Sequence, residues 1–123
     1  MPGLPQQVQI NVAAGSQWPQ AYQILSNGVP ADISTATFEF VIRPNASDRT
    51  EPALVSVNST TSSSQGYITV TAETATIMVV LSPTATALLG QSADPYALWM
   101  NPGTPSQTDL VTGTSFCQLV PLP

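Results

Sequence analysis

Residues 32–44 read Asp32-Ile33-Ser34-Thr35-Ala36-Thr37-Phe38-Glu39-Phe40-Val41-Ile42-Arg43-Pro44, and their alternation decides the fold class. In an extended chain Ala36, Phe38, Phe40 and Ile42 share one face, while Thr37, Glu39, Val41 and Arg43 share the other. A period of two marks a strand with one buried side. Pro44 has no N–H to give to a ladder, so the strand ends there. Glu39 and Arg43 lie on the outward face, about 13 Å apart at ~3.3 Å per residue. That is too far for them to pair with each other, and each is expected to meet a cross-strand partner. Surface ion pairs contribute roughly 0–1 kcal/mol, which suits register or contact with a neighbour better than catalysis.

The same pattern extends along the chain. Residues 1–20 carry Pro2, Gly3 and Pro5 and are expected to form an extended N-terminal arm, with Val8–Val12 as a short first strand. Trp18, beside Pro19 and outside any clear strand, is expected to be an exposed anchor for a neighbouring protein. Tyr22–Leu25 leads into Asn27-Gly28, a tight-turn signal between apolar runs. Residues 45–52 form a polar loop holding Asp48, Arg49 and Glu51, and Leu54–Val57 is the next strand. The Ser/Thr-rich run 58–66 is an exposed loop.

Tyr67–Thr71 and Thr76–Leu81 are β-branched strands, the second apolar enough to be buried on both faces. Ser82 as N-cap, Pro83 at the first helical position and Gly90 past the end predict one or two helical turns. Tyr96–Met100 returns to strand, 101–106 is a turn, and residues 108–112 and 115–120 close the chain. The fold class is therefore all-β. The expected form is an immunoglobulin-like antiparallel β-sandwich of about seven or eight strands, spanning 21–123, with one short helical turn and the arm over 1–20. A closed barrel is the alternative.

Composition narrows the function. The chain has 123 residues, no Lys, two Arg and a net charge of −5, with 7% charged residues, against about 25% in an ordinary domain. A phosphate-binding surface needs clustered cations, so neither nucleic acid nor an anionic membrane is an expected partner. The first residues carry no basic segment followed by an apolar run, so no secretory signal is read there.

With no His, neither a Ser-His-Asp nor a Cys-His arrangement can form, and no imidazole can hold zinc. The single Cys117 excludes an internal disulfide and reads as a buried thiol between Phe116 and Leu119. The seven acids are scattered through loops and strand ends: Asp32 and Asp94 suit turn positions, and Asp48 with Glu51 is too sparse for a calcium loop. No catalytic residue, metal or cofactor is assigned. Among the aromatics, Tyr96 and Trp99 read as core or interface. Trp18 and Tyr22, with Glu39, Arg43 and Arg49, are the candidate interface residues.

Several segments in order resemble a family, the short immunoglobulin-like β-sandwich module of tailed-bacteriophage virion proteins of the tail-collar and fibre-attachment type. They are Asp32-Ile33-Ser34-Thr35 with the strand ending at Arg43, Gly66-Tyr67-Ile68-Thr69-Val70, Leu81-Ser82 with Thr86-Ala87-Leu88, the aromatic strand Tyr96–Met100, and Gly113-Thr114. The resemblance covers roughly residues 22 to 120. Thr35 stands where the family carries glycine, and the arm has no counterpart.

The resemblance implies a non-enzymatic structural protein of a virion, assembled in the host cytoplasm. Such a protein would form a homo-oligomer and dock onto other virion proteins. A surface with few ions and an arm able to add to a neighbour's sheet edge agree with that role. A tail collar, baseplate ring or fibre adaptor is the preferred placement, with a capsid decoration (cement) protein as the alternative. A rival from another class is a carbohydrate-binding module for host-surface glycan, which requires Trp18, Tyr22 and Tyr96 to cluster on an exposed face.

Overall fold

The computed structural model describes residues 6–45 and 52–121, so Arg49, Asp48 and Glu51 lie outside the described residues. The strands are β1 (Gln6–Gln7), β2 (Ile10–Ala13), β3 (Trp18–Gln23), β4 (Leu25–Ser26), β5 (Val29–Pro30), β6 (Phe38–Ile42), β7 (Val55–Asn58), β8 (Gly66–Thr71), β9 (Thr76–Leu81), β10 (Ser92–Met100) and β11 (Thr108–Gln118). Among the described residues, the helical pieces are one helix, α1 (Pro83–Leu89), and a 3-10 turn at Ala72–Thr74. No helix among the described residues is long and apolar enough to cross a membrane.

The strands form a six-stranded sheet and a three-stranded sheet in a sandwich-like arrangement. The larger runs β1-β11-β10-β6-β7, with β2 also on β11; the smaller runs β3-β9-β8. A small hairpin, β4–β5, turns at Asn27 and Gly28, both at positive φ, as the Asn-Gly pair requires. The fold is all-β, as the alternation predicts.

The core lies between the sheets. Phe38, Phe40 and Ile42 enter it from β6, Val55 and Val57 from β7, and Tyr96 and Leu98 from β10. They meet Ile77, Val79 and Leu81 from β9. Phe40 is fully enclosed, its ring 5.7 Å from Trp18 and 5.4 Å from Tyr96, within the range of favourable tilted aromatic contacts. As the apolar run over 76–81 suggests, β9 is the central strand of its sheet, and its off-core Val80 is buried too.

Local signals hold at the helix. Ser82 Oγ accepts from Ala85 N at 3.2 Å, Pro83 opens α1, and Gly90 ends it at φ 58°. Ser82 Oγ also donates to Ser64 O at 2.6 Å, anchoring the helix start to the Ser/Thr-rich loop. Within that loop Asn58 Oδ1 accepts from Thr60 N and Thr61 N, both at 2.9 Å. Its local polarity therefore closes a turn on itself.

Two departures concern the ends of the chain. Over its described residues 6–20, the segment expected as an arm carries β2 close to the expected Val8–Val12 strand, and in addition β1 and the start of β3. β1 and β2 pair with β11 in parallel, not antiparallel, with Gln6 opposite Val111 and Ile10 opposite Ser115. Ile10 and Val12 are buried in the core, and that burial holds the segment down. The second departure is that β11 runs unbroken through Gly113, where two separate segments are expected. A Cβ at Gly113 would stand 2.1 Å from Val8 O. The glycine is there for that close backbone approach, and it does not interrupt the strand.

Candidate interaction face

The outward face of the six-stranded sheet is built by the off-core residues of three adjacent strands. β6 supplies Glu39 and Val41, β10 supplies Ala97 and Trp99, and β11 supplies Thr112, with Trp99 directly opposite Glu39 and Ala97 opposite Val41. These residues line a shallow cleft of ≈ 290 Å³ that also receives Arg43, Pro102, Gln107 and Asp109. Val41 is only 7% exposed although it faces away from the core, so the floor of the cleft is apolar.

Asp109 reaches this face because of a bulge. The register of β10 on β11 shifts between Leu98 and Trp99, so that Leu98 faces Val111 while Trp99 faces Asp109. Leu110 is the extra residue. Strict alternation from Val111 would have turned Asp109 toward the core, and the bulge turns it outward beside Trp99. Burial pushes its carboxyl above the usual carboxylate range, offset in part by the Val111 N–H. Its Oδ1 is enclosed with no hydrogen-bond partner among the described residues.

The two candidates from the opening strand come to this face together. Glu39 accepts a hydrogen bond from Ser56 Oγ at 3.2 Å, a cross-strand contact to β7 as expected. Arg43 is held in place by its own N–H, which donates to Pro95 O at 3.0 Å. Pro95 is accommodated inside β10 because it lies opposite Arg43, one residue past the end of β6, where the ladder needs no further N–H.

The other two candidates are placed elsewhere. Trp18 is no exposed anchor: it lies within β3, half-buried, its ring against Phe40. Tyr22, four residues on, faces the same way along β3, and its enclosed hydroxyl has no partner among the described residues. Burial, followed by the proximity of Tyr96, drives its phenol far above the ordinary tyrosine range. Tyr96 is a core residue whose hydroxyl donates to Val8 O at 2.5 Å, with its pKa pushed up to about 12 by burial and the nearby Asp109 charge. Trp18 and Tyr96 thus converge on Phe40 inside the sandwich and do not form an exposed row for sugar rings.

The remaining sites are quiet. Asp32 Oδ1 accepts from Ser34 N at 3.1 Å, a turn-initiating contact that holds its carboxyl low. The Cys117 thiol is buried, which pushes its pKa up. No group of three or more His, Cys, Asp or Glu among the described residues could hold a metal ion. Among the described residues the face brings together the Arg43 cation, the Glu39 and Asp109 carboxylates and the Trp99 indole over an apolar floor. Sequence reading missed Asp109 because the bulge that aims it depends on the pairing of two strands, and it read Trp99 only as core or interface.

No protein-family model matches the chain, and no curated protein matches it. Among solved structures it is similar to the N-terminal domain of phage TP901-1 ORF48, with a TM-score of 0.52 and 14% identity over 94% of this chain and 90% of that one. A structure from photo-crosslinking analyses of multimeric cell-adhesive interactions of VGSC beta subunits overlaps at a TM-score of 0.46, with 14% identity over 98% and 97% of the two chains. The first likeness is one of fold.

Proposed function

We propose that the chain is a non-enzymatic structural protein of a tailed-phage virion, a symmetric oligomer that docks onto other virion proteins through the Glu39, Arg43, Trp99 and Asp109 face. The observation that carries this reading is the likeness of fold, over nearly its whole length, to a domain of a phage protein. The surface chemistry supports it. With 7% charged residues, little ionic desolvation opposes packing against neighbours. Within the virion, a tail collar, baseplate ring or fibre adaptor is the placement carried forward from the segment order around Asp32, Gly66 and Gly113.

Antibodies raised against the chain test this on purified particles. Gold label on the tail is the expected result. Label on the head would replace the tail assignment with capsid decoration, and absence from purified particles would sink the virion reading. Trp99→Ala and Arg43→Glu should each lower occupancy on particles while leaving the thermal unfolding of the isolated protein nearly unchanged.

A further inference from the structure

The β8 strand is an outer strand of the three-stranded sheet, and the ladder decides which of its backbone groups face outward. β9 bonds to β3 in a series that continues through Ile24 N to Ala75 O, and to β8 in the alternate series, continuing through Ser82 N to Gln65 O. In that register Tyr67, Thr69 and Thr71 spend their backbone groups on β9. The N–H and C=O groups of Ile68 and Val70 therefore point away from the sheet. They form no other hydrogen bond among the described residues.

Two other edges are blunted. On β7, Ser56 N donates to Gln65 Oε1 at 2.9 Å. On β3, Pro19 has no N–H to offer and Ala21 O accepts from Gln20 Nε2 at 3.0 Å. β8 has neither device, and its residues, Gly66-Tyr67-Ile68-Thr69-Val70-Thr71, include no charge to repel an added strand. Val70 shares the core-facing side with buried Ile68 yet is 36% exposed, an apolar side chain at the rim of the core with no strand beside it.

We propose that this edge is a self-association site: two copies pair their β8 strands antiparallel about a two-fold axis at Thr69, joining two three-stranded sheets into one. That register sets Ile68 opposite Val70 of the second copy, twice, so every outward group of both residues is paired. It lays an Ile68 side chain beside each exposed Val70. Glu73, the nearest charge, falls opposite Gln65 of the second copy and so meets no like charge. Longer pairing is blocked on both sides: the Gly66 N–H and C=O are already bonded to Ser63, and Ala72 begins the 3-10 turn. In a chain of net charge −5, an ion-free edge is where two copies meet with least repulsion.

The inference deepens the oligomer part of the proposed function and rests on no virion contact. Its test uses the purified full chain. At a non-hydrogen-bonded antiparallel pair the Cα atoms are about 4.5 Å apart, inside the disulfide range of about 4.4–6.8 Å. Thr69→Cys should form a crosslinked dimer under mild oxidation, whereas the wild type, whose Cys117 is buried, and Gln20→Cys on β3 should not. Val70→Pro removes an outward N–H together with the Val70 side chain at the proposed seam, and takes no donor from the ladder to β9. Sedimentation should show its dimer weakened roughly tenfold to a hundredfold, with the circular dichroism unchanged.

A wild type that sediments as a monomer at every concentration overturns the proposal, as does a dimer that Val70→Pro leaves intact or a Thr69→Cys chain that crosslinks no better than Gln20→Cys. Those outcomes would leave docking onto a virion standing. A β8 dimer of a protein missing from particles would do the reverse.

Discussion

The Tyr96 hydroxyl donates to the Val8 carbonyl at 2.5 Å, joining a core residue of β10 to the N-terminal segment 88 residues earlier. Gly113 lies against the same carbonyl, because a side chain there would collide with Val8 O and crowd the Tyr96 ring at 3.3 Å. Val8 N in turn donates to Thr112 O at 2.9 Å. One tyrosine and one glycine thus seat the crossing between β1 and β2 and hold both in parallel on β11. Tyr96→Phe should cost about 1–2 kcal/mol, since the ring contact with Phe40 survives while Val8 O loses its phenol donor. Gly113→Ala should cost more, because backbone must move. Urea unfolding of the two variants checks the order, and a harmless Gly113→Ala would refute the seat.

Phe40 is the joint between the sheets, enclosed between Trp18 and Tyr96. Phe40→Ala should lose about 3–5 kcal/mol and Phe40→Leu clearly less, as a cavity forms in the first and is largely refilled in the second. Chemical denaturation measures both. Equal losses would mean that ring stacking outweighs volume here.

Thr86 is fully buried on α1, and its Oγ1 accepts from Gly15 N at 3.0 Å while donating to Ser16 O at 2.8 Å. The hydroxyl ties the helix to the turn between β2 and β3. Thr86→Val keeps the shape but strips both groups of their partner, and should cost about 2 kcal/mol. Faster hydrogen exchange at Gly15 N in this variant would identify the lost bond as the cause.

Asp109 makes stability depend on pH with a definite sign. Burial raises its folded-state pKa above the unfolded value, which is about 3.9. The folded protein therefore holds more protons than the unfolded chain above pH ~4, and this group's contribution falls as pH rises through the raised pKa. Asp109→Asn removes the charge that burial penalises. The variant should be more stable than the wild type at neutral pH, with the gap closing toward pH ~4. A gap that does not vary with pH would contradict the burial of this carboxyl.

The local architecture was readable from neighbouring residues. The alternation over 36–43 assigns Phe38, Phe40 and Ile42 to the core. Asn27-Gly28 makes its hairpin turn, Ser82, Pro83 and Gly90 bound the helix, and Asp32 closes its turn on Ser34. Each is a backbone preference or a short-range hydrogen bond that adjacent side chains alone dictate.

What only the tertiary structure decided depends on partners far away in the chain. Within the segment read as an arm, β1 and β2 are laid in parallel on β11 because β11 presents an edge and the core has room for Ile10 and Val12. Trp18 is half-buried because Phe40 comes to meet it. Asp109 faces outward because one bulge reverses the facing that strict alternation from Val111 would impose. A period of two states that a strand has two faces. Which face is covered, and which edge stays open, is decided by the elements that pack against it.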